Sequence, residues 1–276
     1  MRRQPQLARR FFDRFEPVHA VTYFAPEARA AFDGLGYRGF WMGYFAPERV
    51  AKALPAAWEI AGPEAALRAG QDSAVAALRR YGIGTDENVS VAAELTGRAA
   101  RQAPLDGRPL FAANLALPWP DDPLAALWHA ATLLREQRGD AHVAVLAAAG
   151  VSGRESNVLH AAAGRIAGDY MARARNYDDA AWRHQERRLA DRGLLNDDGS
   201  ITEAGRQLKD HIESATDTLA LSALDRLSDD EVETLFQALT PITQAVVAGG
   251  DVPAATPMGL RRDELGDGSA HLATAD

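Results

Sequence analysis

The chain has no cysteine among its 276 residues. That excludes disulfides, thiolate metal sites and cysteine nucleophiles, and it fits a reducing cytosol, so a cytoplasmic location is expected. No apolar run reaches the ~18 residues that a membrane helix requires, so no membrane partner is expected. The N-terminus, MRRQPQLARRFFDRF, is basic but lacks an apolar core and does not read as a secretory signal. There is no GxSxG elbow, no P-loop and no GxGxxG after a strand, which removes support for hydrolase, NTPase and dinucleotide-binding folds. None of the seven histidines stands four residues from another and HExxH is absent, so no metal site is expected and no cofactor is indicated. β-branched runs, low-complexity segments and legible repeats are also lacking.

What is there is helical. Alanine is abundant, and an apolar share of 47 % with 25 % charged residues is that of a soluble domain large enough for one or two cores. Residues 5–35 read as two helices closing on glycines. Pro47 and Glu48 suit the first turn of another, with Val50 and Leu54 on one face. Pro63 opens a clear helix that stops at Gly82 and Gly84, and Asp86 suits the N-cap of the next. Five prolines in residues 103–123 mark a boundary, read as an ordered crossover because Phe111, Leu115, Leu117 and Trp119 are too apolar for a free linker. Leu124, Leu127, Trp128, Ala131 and Leu134 then follow helical spacing. Gly139 is read as the end of that helix, and Asp140 as the N-cap of a short helix that restarts after it.

Beyond it a short helix spans 154–163, a loop runs to Tyr177, and a helix over 178–192 starts at Asp178 or Asp179. LLNDDGSIT reads as a hairpin around an Asp-Gly turn, near 194–202, before a long helix. The expected architecture is mainly α, with an N-terminal helical module (1–102), a crossover (103–123), a second module (124–262) and a disordered tail (263–276). The net charge is −8, but residues 1–14 hold five arginines and one acid, and residues 196–236 hold eleven acids and three bases. Any basic surface is therefore a patch on an acidic body.

The order of three helices, a β-wing and a long helix, ending in RLADRGLLNDDGSITEAG, looks like a MarR-type winged helix. LWHAATLLREQRGDAHVAVLAAAG, IESATDTLA, the P…PMGL ending and PVHAVTYFAPEARAAFDGLGYRGFWMGYFA resemble a family of actinobacterial helix-turn-helix proteins. Its LRExRGDxHVAxL motif stands at residues 134–146, and the resemblance covers residues 15–262. It implies two winged-helix-like modules and no particular activity. About twenty residues that usually follow WMGYFA in this family are missing after Ala46.

Two functional readings follow. Arg135, Glu136, Arg138, Asp140 and His142 crowd an apolar segment. They form either a binding site for a polar or anionic small molecule or a braced helix corner. Tyr23, Phe24, Phe40, Trp41, Tyr44 and Phe45 either line a cavity for a flat ligand or belong to the core, and His19 shares a face with Tyr23. In the helix over 178–192, Trp182, Leu189 and the stem of Glu186 point inward. That leaves Arg183, His184, Arg187 and Arg188 for DNA, or for a solvated face interleaved with acids. Asn196, Asp197 and Asp198 in the wing argue against DNA. The chain thus reads as a winged-helix regulator or ligand-binding protein, or as an enzyme with general acid/base groups at 135–142, acting as monomer or homodimer.

Overall fold

Prolines and side-chain caps set the helix starts. The computed structural model describes residues 3–37, 59–253, 260 and 262–272. Among them lie eleven α-helices. Pro stands at the first position of α1 (Pro5–Phe24), α2 (Pro26–Gly34), α3 (Pro63–Arg80), α5 (Pro109–Leu115) and α6 (Pro123–Ala148), where its missing N–H is not needed. Side chains of Asp86, Ser152, Asp178, Thr202 and Ser228 cap α4 (Glu87–Gln102), α7 (Gly153–Ala162), α9 (Asp179–Asp191), α10 (Glu203–Ala220) and α11 (Asp229–Ala248). The remaining helix, α8 (Gly168–Ala174), lies inside the segment expected to be a loop. Met171 anchors it with 1 % exposure.

The main core draws on α1, α3, α4, α6 and α11, from both sides of the 103–123 segment, which itself contributes Phe111 from α5. Helix α1 is buried on nearly every side and packs against α3, α6, α10 and α11. A second, smaller core joins Val158 and Leu159 of α7, Leu189 of α9, and Leu194, Leu195 and Ile201.

Four expectations are corrected. Helix α6 does not end at Gly139; it runs unbroken to Ala148. A mid-helix glycine costs only about 1 kcal/mol, and burial of α6 on both sides of it outweighs that. Asp140 is consequently not the N-cap of a new helix. The expected hairpin is reduced to a single antiparallel bridge, Leu195 to Ile201, and no extended strand forms among the described residues. The bridge closes on a tight turn in which Asn196 N–H donates to Ser200 O (2.8 Å) and Gly199 has a left-handed φ of 81°. Residues 265–272 are packed rather than loose: Ala270 is buried, and Arg10 and Arg14 donate to the carbonyls of Ser269 and Asp267.

The N-terminal arginines are also engaged internally. Arg3 binds Asp229 and two carbonyls near the start of α11, and Arg14 is fully buried with Thr240 as a partner. Phe40, Trp41, Tyr44, Phe45, the helix expected from Pro47 and the junction after Ala46 lie outside the described residues.

Two glycines give opposite expectations. A Cβ on Gly205 would sit 2.2 Å from the carbonyl oxygen of Leu194 and 2.8 Å from Ile201. Gly205→Ala is therefore expected to lower stability by about 3 kcal/mol, as overpacking does. A Cβ on Gly139 would meet nothing closer than Glu136 at 3.9 Å. Gly139→Ala should raise stability by up to about 1 kcal/mol. Urea unfolding of both variants checks the pair.

Candidate ligand cavity and recognition helix

Helix α6 leaves the main core at Arg135, and its last turns face α10 and α7. There, between α1, α6 and α10 on one side and α7–α9 on the other, lies a cavity of about 850 Å³. Its size is that of a small-molecule site. Arg135, Glu136, Arg138, Asp140 and His142 all line it. His19 and Tyr23 do not. His19 is a satisfied core histidine instead. Thr132 Oγ1 donates to Trp128 O, so His19 Nδ1 donates to Thr132 (2.9 Å) and its Nε2 accepts from the Tyr23 hydroxyl (2.9 Å). Burial and then Arg135 hold its pKa well below the usual value, so the ring is neutral.

The five residues of the cluster divide by partner. Asp140 Oδ2 accepts from Phe111 N–H (2.9 Å), which caps α5 across a gap in sequence, because α5 is preceded by Arg108, a residue with no acceptor to offer. Arg138 is 6 % exposed, lies over the Phe12 ring at 4.6 Å and pairs with Asp217 at 2.6 Å. These two residues brace helices. Arg135 donates to Glu136 (2.8 Å) and remains a third exposed at its side chain. His142 Nδ1 lies 3.1 Å from Thr216 Oγ1, whose own proton goes to Ile212 O. The imidazole is therefore the donor, and its Nε2 is left as an acceptor. Burial depresses its pKa and keeps it neutral.

Sequence reasoning missed two residues here. Glu213 of α10 is the hub of the cavity's charge. It pairs with Lys209, and Arg9 and Arg138 stand 3.6 and 3.7 Å away. Burial works to raise its pKa, but Lys209 and Arg9 bring it to about 2. Lys209, Glu213 and Thr216 stand at i, i+4 and i+7 beside buried Ile212, a signal that the surrounding acidic run hid. The other is Glu16. It has no exposed surface, and neither carboxyl oxygen has a hydrogen-bond partner. Burial raises its pKa to about 7 against the pull of Arg135, Arg138 and Arg9. Glu16 stands one turn from Phe12 and next to Phe15 on a helix that is buried throughout residues 11–21.

A group whose folded pKa is raised from 4.5 to about 7 adds stability below the lower value and loses it as pH rises through the upper one. Glu16→Gln is therefore expected to stabilise the fold by about 3 kcal/mol at pH 8 and to have little effect near pH 4. Urea denaturation at both pH values measures it. A second expectation separates the brace: Asp140→Ala should cost about 1 kcal/mol, through the lost cap of α5.

Helix α9 places Arg183, His184, Arg187 and Arg188 on exposed positions. They are not equivalent. Among the described residues Arg183 pairs with Asp179, at 3.9 Å. Arg188 donates to Glu155 (3.0 Å), a carboxylate that is 1 % exposed. His184 and Arg188 also line the cavity, so α9 has an outward edge at 183 and 187 and a cavity edge at 184 and 188. Trp182 donates to Glu186 (2.9 Å), which holds both half-buried.

A model of a family described as a helix-turn-helix family matches the chain over residues 8–47 and 44–253. No curated protein and no solved structure matches it.

Proposed function

The chain belongs to this helix-turn-helix family, and from that premise we propose that it is a ligand-responsive, DNA-binding regulator of MarR-like winged-helix type. In this reading residues 124–262 form the working module, α9 is the recognition helix, and the turn at 194–202 is a reduced wing. The cavity behind α9 is the effector site. Such a protein would act in the cytoplasm. No helix among the described residues is long and apolar enough to cross a membrane.

The observation that carries the reading is the double exposure of α9. Its Arg183 and Arg187 edge faces solvent, and its His184 and Arg188 edge walls the cavity. A molecule filling the cavity touches the helix that would touch DNA. Differential contact of that kind is what a ligand needs to shift a binding equilibrium. Arg188 is the natural point of coupling, since its bond to Glu155 ties α9 to α7 at the cavity edge.

Acid–base catalysis on the same scaffold is the second reading. It is favoured by one observation, the Glu16 carboxyl held near pH 7 beside the cavity. The two readings differ in whether a bound molecule leaves unchanged.

Fluorescence anisotropy with a labelled duplex over a salt series tests the DNA half. Replacing both Arg183 and Arg187 by Ala is expected to reduce the slope of log affinity against log salt by about two. Absence of DNA binding by the unaltered protein at low salt would sink the regulator.

A further inference from the structure

We propose that the cavity takes an organic carboxylate on an apolar body, and that Glu16 meets it as a protonated acid donating a hydrogen bond. The inference rests on the effector-cavity half of the reading above and supplies the chemical class of the ligand.

It starts from an orphan. Buried polar groups are almost always hydrogen-bonded, and one that is not calls for a missing partner. Glu16 is fully buried at the inner wall of the cavity, with both oxygens unpartnered. The groups around it decide the partner's charge. Arg135 and Arg138 of α6 and Arg9 of α1 act on it, opposed by Glu136. Across the cavity, Lys209 and Glu213 of α10 pair with each other, and His142 of α6 is held neutral. Arg175 and Tyr177, beyond α8, close the far side.

A cationic ligand reaching Glu16 would stand among those three guanidiniums. An anion gains from all three, provided that Glu16 surrenders its own charge. Burial already favours the neutral acid, so an O–H donor to the incoming carboxylate is close at hand. Phe12, Leu146 and Met171 supply apolar wall for the body of the molecule. Arg135 is suited to be the main cation, because its side chain is a third exposed and Glu136, with which it pairs, is its sequence neighbour.

The pH sign follows. The complex holds the Glu16 proton more tightly than the free protein does, so binding takes up a proton. Affinity is full below the free-protein pKa of about 7 and declines above it. Between pH 6 and pH 8 the decline is about tenfold for one proton.

The test uses the full chain and three matched probes: 2-naphthoate, neutral 2-naphthamide and cationic 2-naphthylmethylammonium. Calorimetric titration at pH 6 and pH 8 reads each affinity. Naphthoate is expected to bind best, about tenfold more weakly at pH 8, and Glu16→Gln is expected to abolish that pH dependence while keeping binding. Arg135→Met is expected to weaken naphthoate at least tenfold at both pH values, and it decides the matter independently of Glu16→Gln. Preference for the ammonium probe, a pH dependence that survives Glu16→Gln, or undiminished binding by Arg135→Met overturns the inference and leaves the effector cavity standing. Binding of none of the three overturns the inference and the effector cavity together, whatever the DNA measurement shows.

Discussion

Helix α1, and α6 up to Leu134, are buried on nearly every side, yet α1 and the stretch of α6 that follows carry charge. Every ionisable group on them must therefore find a partner inside the protein or titrate. Arg14 shows the first outcome. It has no exposed surface, but it reaches Thr240, the carbonyls of Arg10 and Asp267, and the face of Phe236 at 4.7 Å. Those contacts draw α11 and the last described residues onto α1. Arg138 does the same between α6, Phe12 of α1 and Asp217 of α10. Glu16 shows the second outcome: no partner, and a pKa near 7. The charges that brace the fold and the charge left open at the cavity thus arise from one constraint.

Helix α10 also links the cavity to the turn at 194–202. Helix α10 carries Lys209, Glu213 and Thr216 on the cavity wall. Two turns before Lys209, its N-cap Thr202 accepts from Gly205 N–H and donates to Gly193 O, which pins the start of α10 to the end of α9. Gly205 lies against Leu194, where any side chain would collide. The start of α10 thus packs directly against the turn at 194–202. This is a packed physical connection, the kind that a ligand-dependent shift requires.

Local features were legible in the sequence and distant ones were not. Helix starts at Pro63, Asp86 and Asp178 stand where the sequence places them, because proline and short polar caps act within one turn. Gly139 and Asp140 were misread for the opposite reason. Glycine followed by aspartate is a sound local stop-and-start signal, but α6 is held straight by neighbours far away in sequence, and Asp140 serves α5. The packing of the tail leaves no local trace, because its partners, Arg10 and Arg14, lie some 250 residues earlier. The cluster at 135–142 was visible as a concentration of charge. Glu16 was not, since its meaning depends on α6 being laid across α1.

The two edges of α9 differ in how readily they can change partner. Arg183 and Asp179 form an exposed pair at 3.9 Å, and such pairs contribute little, so a phosphate can replace the carboxylate at small cost. Arg188 is different. Its partner Glu155 is buried and also caps α7, and if Arg188 left, Arg192 at 3.8 Å would be the cation left beside it among the described residues. Removing one member from a pair with a buried carboxylate costs more than the pair itself is worth. In the proposed regulator, therefore, Arg183 and Arg187 are the arginines free to meet DNA first. Arg188 joins them only if something in the cavity, or in the turn beside it, takes over its hold on α7.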